Sequence, residues 1–190
     1  LKQALGLAKS INLSNNIISN KITLDILSCI SELYLYTGDA KMAIKYQKYV
    51  LKKTKRLDYR ESLAYSLIRL GVIYKNIKKY NLAEYYFKNA KKIITKIDSL
   101  KILNLLYINL SSLYLNKKTA KESINILKKA EKYSLKLKDY DNLSNIYNNF
   151  SVRYINLGLY NKAKDYLKKS KSIFKKVNNV VGLAFVYANY

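Results

Sequence analysis

An all-α fold of stacked antiparallel helix pairs is predicted by three observations. A tyrosine recurs at a constant interval, at Tyr34, Tyr74, Tyr114 and Tyr154. A small residue stands three positions before each (Ser31, Gly71, Ser111, Ser151) and another nine after each (Ala43, Ala83, Ser123, Ala163). Turn-forming residues fall between the periodic segments, at Thr37-Gly38-Asp39, Leu157-Gly158, Asn15-Asn16 and Asn178-Asn179. Self-similarity at a fixed period marks a solenoid, in which each unit buries its apolar face against its neighbours.

Each element follows from its register. First helices are predicted near 24–36, 64–76, 104–116 and 144–156, with second helices near 40–57, 80–97, 120–137 and 160–177. The stretch Leu1–Ile11, with Leu1, Leu5 and Ala8 at helical spacing, reads as the second helix of an earlier repeat. A fifth first helix begins at Ala184. One repeat domain therefore covers 1–190, as a partial helix at 1–23, repeats 24–63, 64–103, 104–143 and 144–183, and a partial repeat at 184–190. Both ends fall inside helices, so the chain is expected to be a piece of a longer protein. The apolar run Val180–Tyr187 lacks a covering helix and is expected to recruit a neighbour.

The small residues allow close approach of two helices, within the ~8–10 Å of ordinary helix packing. Each tyrosine lies on the same face three residues later and is predicted to fill the adjoining core, its hydroxyl near the polar edge.

The second copy reads Leu70-Gly71-Val72-Ile73-Tyr74, followed by Tyr80, Ala83, Phe87 and Ala90. This resembles the tetratricopeptide repeat, whose unit is about 34 residues. The longer unit here is similar to those of peptide-pheromone receptors of Gram-positive bacteria and of kinesin light chains. Six added residues correspond to ~1.7 helical turns, and longer second helices running into short polar loops are the simplest account. The resemblance implies a right-handed α-solenoid, with first helices lining a concave groove and second helices forming the back.

Composition excludes several classes. With 190 residues, 49% of them hydrophobic, there is ample material for a core. No run approaches the ~18 apolar residues of a membrane span. Cys29 is the sole cysteine, so no internal disulfide exists, and the absence of histidine leaves few transition-metal ligands or partners for a thiol nucleophile. No Gly-rich phosphate loop, Ser/His/Asp set or metal-spaced carboxylate cluster is present. A non-enzymatic chain without cofactor or metal is expected, in the cytoplasm.

A net charge of +24 invites a nucleic-acid reading through the lysine-rich convex face. Only four of the 36 basic residues are arginine (Arg56, Arg60, Arg69, Arg153), although arginine is the better bidentate partner for phosphate. Abundant lysine, asparagine, isoleucine and tyrosine together are the usage expected of an AT-rich genome. The first helices as placed carry Arg69, Lys75 and Arg153 against Asp25 and Glu32, so the groove is predicted to be nearly neutral.

The groove carries asparagine in register. Two residues before the small position come Asn109, Asn149 and Asn189, with Arg69 and Cys29 in the earlier copies. Two residues after the tyrosine come Asn76, Asn116 and Asn156. An asparagine amide accepts from a peptide N–H and donates to a peptide C=O, so such ranks can hold an extended backbone without reading its side chains. The first set resembles the asparagine ladders of the receptors and light chains named above; the second, near helix ends, equally suits turn backbone. Arg69 could receive a carboxylate or phosphate, or be ion-paired. Asp25 and Glu32, seven apart on one helix face, could select a basic group.

These readings point to a peptide- or protein-binding scaffold within a larger bacterial regulatory protein. The alternatives are binding of nucleic acid or acidic surfaces through the lysines, and service as the regulatory arm of a signalling enzyme.

Overall fold

The computed structural model describes residue 6 and residues 17–117 and 120–189, with side chains from 20 to 114 and from 120 to 189. Every regular element among them is an α-helix: α1 (Ile17–Tyr36), α2 (Ala40–Arg56), α3 (Arg60–Asn76), α4 (Tyr80–Ile97), α5 (Leu100–Lys117), α6 (Ala120–Leu137), α7 (Tyr140–Asn156), α8 (Tyr160–Lys176) and α9 (Val180–Ala188). The helix expected at Leu1–Ile11 lies outside the described residues, Gly6 apart. The chain divides into two compact units, Leu1–Asp98 and Ser99–Tyr190.

A single left-handed residue closes most of the helices. Gly38, Asp58, Lys78 and Asp98 have φ of 86°, 50°, 59° and 48°, and Lys138, Gly158 and Asn178 have 53°, 70° and 53°. At Asp58, Lys78, Lys138, Gly158 and Asn178 the residue's N–H donates three back into the helix, and the next N–H donates five back, as in Tyr59 N to Thr54 O at 3.1 Å. These bonds make the Schellman motif, which satisfies the last carbonyls of a helix. The side chains of Asp39, Asp139 and Asn179 then cap the following helices by accepting from Met42, Asn142 and Gly182 N–H.

The second helices start where the spacing places them. The first helices start earlier: α3, α5 and α7 begin at Arg60, Leu100 and Tyr140, ahead of the predicted 64, 104 and 144, and α9 begins at Val180 in place of Ala184. Helix formation continues back to the capping residue beside each left-handed position. The added length of the repeat unit therefore resides in first helices as well as second, a correction to the expectation of longer second helices alone.

In the first unit α1 packs on α2, α2 on α3 and α3 on α4. Gly71 of α3 sits over the Phe87 ring of α4, where a Cβ would strike the ring. Ala83, Phe87 and Ala90 are fully buried. Tyr74 stacks on Tyr86 with centroids 5.3 Å apart and planes 4° from parallel, and Tyr34 on Tyr46 at 5.5 Å and 9°. In the second unit α5 packs on α6, α6 on α7, and α7 and α9 on α8. Tyr154 stacks on Tyr166 at 5.4 Å, and Phe150 on the same ring at 4.7 Å. Burial, then the neighbouring Tyr154, push the Tyr166 hydroxyl up to about 12. Tyr34, Tyr74 and Tyr154 thus pair across their helix hairpins; Tyr74 is buried, and Tyr34, Tyr114 and Tyr154 are half-buried.

Candidate functional site

In the second unit the first helices α5, α7 and α9 carry the asparagine series. Adjacent first helices touch, α5 with α7 and α7 with α9. Asn109 is partly buried, and its Nδ2 donates to Leu105 O one turn back at 2.9 Å. Asn189 closes α9, and its Nδ2 donates both to Phe185 O at 3.0 Å and across to Asn148 Oδ1 on α7 at 3.2 Å. Asn149 is half-buried. The amide nitrogens thus anchor the side chains of Asn109 and Asn189 against their own helices, while the carbonyl oxygens remain to accept N–H groups. The bridge to Asn148 was not singled out by repeat spacing, because Asn148 stands one position off the asparagine register.

The second asparagine set is less uniform. Asn76 and Asn156 are exposed at the last residues of α3 and α7, and the side chain of Asn116 lies outside the described residues. Tyr36, in the same register, is 91% exposed. Cys29 is exposed on α1.

The charged residues divide differently from the sequence reading. Arg69 of α3 bridges to Glu32 of α1, Nε to Oε1 at 2.8 Å. Asp25 lies beside this pair, lining a cavity of about 170 Å³ with Leu24, Ser28, Val50, Ser66 and Arg69. Arg153, counted above as a groove charge, is not in a groove: it is 3% exposed. Its Nε donates to Ser123 Oγ at 3.0 Å and its Nη2 to Ser111 O at 3.3 Å. Burial lowers its guanidinium to about 10, so it stays charged at neutral pH. Asn104 is also buried, donating to Ser134 Oγ at 2.7 Å with its Oδ1 unpartnered. Neither burial was legible, since each depends on a hydroxyl contributed by another helix.

Among the described residues no group of three or more His, Cys, Asp or Glu side chains could hold a metal ion. No described helix is long and apolar enough to cross a membrane.

Family models described as tetratricopeptide repeat match residues 64–96, 106–137 and 143–180. No curated protein sequence matches the chain. Solved structures do. The aspartyl phosphate phosphatase F of Bacillus subtilis superposes with a TM-score of 0.77 at 17% identity, over 86% of this chain and 43% of that one. A Rap protein complexed with competence and sporulation factor gives 0.77 at 17%, over 96% and 50%. Kinesin light chain TPR-like repeats of Podosopora anserina give 0.66 at 14%, over 93% and 86%. At these identities the likeness is one of fold, that of a helical solenoid, and the chain spans half or less of the first two proteins.

Proposed function

Because the chain belongs to the tetratricopeptide repeat family, we propose that it is a peptide- or protein-binding module whose first-helix face holds an extended backbone. The observation that carries this reading is the asparagine series of the second unit. Asn109 and Asn189 are oriented by their own amide nitrogens and leave their oxygens open, and Asn149 stands between them in register. Asn116 and Asn156 are further candidates in that unit, and Arg69 and Asn76 are candidates in the first unit. The Rap protein found with a bound factor has a similar fold, which is consistent with a sensor role inside a larger bacterial regulatory protein of the cytoplasm.

Calorimetry against a peptide selected from a library tests the reading. Each of Asn109→Ala, Asn149→Ala and Asn189→Ala is expected to weaken binding by about 1 kcal/mol, roughly fivefold. Lys164→Gln with Lys168→Gln on the exposed side of α8 should leave affinity intact, because exposed charges away from a contact contribute little. Lys169 is the poorer control, since its ammonium sits 4.9 Å from the Tyr166 ring centroid. Loss of binding from the lysine changes alone, with steep salt dependence, would transfer the function to the basic surface.

A further inference from the structure

The first unit contains a second recognition element, in the crevice where α1 and α3 flank α2. Its floor is apolar, from Leu24 and Val50, and its polar lining is the Asp25 carboxylate, the Arg69 guanidinium and the hydroxyls of Ser28, Ser62, Tyr65 and Ser66. At about 170 Å³ it is of the size that admits a benzene-sized group.

Among the buried serines, two in this lining are set apart by their lack of partners. Nine serines are buried among the described residues. Six donate to a backbone carbonyl, as Ser31 does to Ala43 O at 2.8 Å, and Ser134 accepts from Asn104. Ser28 and Ser66 make no hydrogen bond among the described residues, are each 2% exposed, and line this cavity from opposite helices. Neither hydroxyl oxygen is sealed in the core, and both residues line this one space without a protein partner, so both are available to a ligand that hydrogen-bonds there.

Charge selects the ligand. Arg69 is already matched by Glu32 at 2.8 Å, whereas Asp25 at the rim makes no ion pair among the described residues. The local balance is one negative charge in a molecule of +24. An incoming anion would face Asp25 and find Arg69 engaged. A cation would find a carboxylate and two hydroxyl acceptors. The long-range repulsion of the positive surface is damped beyond ~8–10 Å at ordinary ionic strength. An apolar floor under a polar rim also fits a methylene stem ending in a charged head.

We propose that this cavity receives one organic cation, an ammonium or guanidinium group on an aliphatic stem, held by Asp25 and the hydroxyls of Ser28 and Ser66. The proposal rests on the peptide-binding reading and gives the first unit a side-chain selectivity of its own.

The test uses the whole chain and blocked pentaglycine peptides with arginine, lysine, norleucine or glutamate at the centre, plus unblocked pentaglycine amide. Binding is followed by amide chemical shifts at Asp25, Ser28, Ser66 and Arg69. The arginine or lysine peptide is expected to bind at least fivefold tighter than norleucine and to shift these amides. Asp25→Asn should remove that preference, and Ser28→Ala with Ser66→Ala should reduce it. Response to the unblocked peptide alone would overturn the proposal, since a chain terminus carries its ammonium without the aliphatic stem. Equal affinity for norleucine, preference for glutamate, or an Asp25→Asn protein that still prefers the cation would each overturn the proposal. The triple Asn109→Ala, Asn149→Ala, Asn189→Ala protein separates the two readings. Its total binding should weaken, while the shifts at Asp25, Ser28, Ser66 and Arg69 and the preference for the cation persist; loss of that preference would overturn the cavity reading. Undiminished binding with the preference retained would sink the asparagine reading and leave the cavity standing.

Discussion

Arg153 donates from Nε to Ser123 Oγ, 3.0 Å away, inside a core where Ser123 in turn donates to Ser111 O at 2.6 Å. The guanidinium is thus held by neutral oxygens, and no carboxylate pairs with it among the described residues. Taking a cation out of water without a counter-charge is unfavourable, and removing it here orphans no buried charge, because Ser123 keeps its bond to Ser111. Arg153→Met is expected to stabilise the protein by about 1–3 kcal/mol, read as a higher urea midpoint. A lowered midpoint would mean that the hydrogen bonds outweigh the desolvation.

Gly71 and Phe87 face each other across one hairpin, and the same registers in the other repeats hold Ser31 and Gln47, Ser111 and Leu127, Ser151 and Leu167. Glycine occurs where the partner is the largest. Gly71→Ser should therefore destabilise by about 1–3 kcal/mol through overpacking, since the ring it would strike is fully buried. Phe87→Leu should make the serine tolerable. A double mutant showing no coupling energy would disprove the pairing.

Gln47 occupies the register of Phe87 and is fully buried with neither amide atom hydrogen-bonded. An unsatisfied buried polar group costs ~1–3 kcal/mol. Gln47→Leu is expected to raise the melting midpoint, by roughly 2–4 °C for each kcal/mol recovered in a chain of this size. An unchanged or lowered midpoint would indicate that the amide is satisfied in solution.

Tyr166 gives a pH dependence of definite sign. In the unfolded chain its hydroxyl ionises near 10, whereas the fold holds it up to about 12. Its contribution is complete below about pH 10 and is lost as pH rises towards 12. Tyr86 and Tyr147, also raised chiefly by burial, act in the same direction, while Arg153, lowered to about 10, acts against them. Between about pH 9 and 11.5 the unfolding midpoint should fall relative to that of the Tyr166→Phe protein. Equal slopes would rule out Tyr166 as a source.

Helix α9 leaves Val180, Val181 and Phe185 exposed by 76%, 68% and 61%. Contiguous apolar surface drives association. Sedimentation is expected to show concentration-dependent self-association of this chain, reduced by Val181→Ser with Phe185→Ser. The same sedimentation profile for both proteins would exclude α9 as the contact.

The fold was legible because its packing code is local. Gly71, Tyr74, Ala83 and Phe87 belong to a single hairpin, and helical spacing alone puts them on facing sides. The earlier start of the first helices was harder to read, because the left-handed residues before α3, α5 and α7 are Asp58, Asp98 and Lys138, where sequence patterns look for glycine or asparagine. For the site, position was readable and engagement was not. Glu32 meets Arg69 from the neighbouring hairpin, and Arg153 likewise reaches Ser111 from the next hairpin along. Such contacts depend on how one hairpin seats on the next, which a single repeat does not encode. The cavity beside Asp25 follows from the same cause: its walls belong to two different hairpins.

The left-handed residues at 38, 58, 78 and 98, and again at 138, 158 and 178, are evenly spaced within each run. That metre sets the grammar of heritable change in this chain. An in-frame loss or duplication of two such intervals exchanges one whole hairpin for another and returns every downstream helix to its former role. A change of one interval preserves each turn yet swaps first helices for second ones, placing lysine-rich segments where asparagines stood. Growth and shrinkage by hairpins is therefore the path along which such a protein can vary its reach while keeping its asparagine register readable.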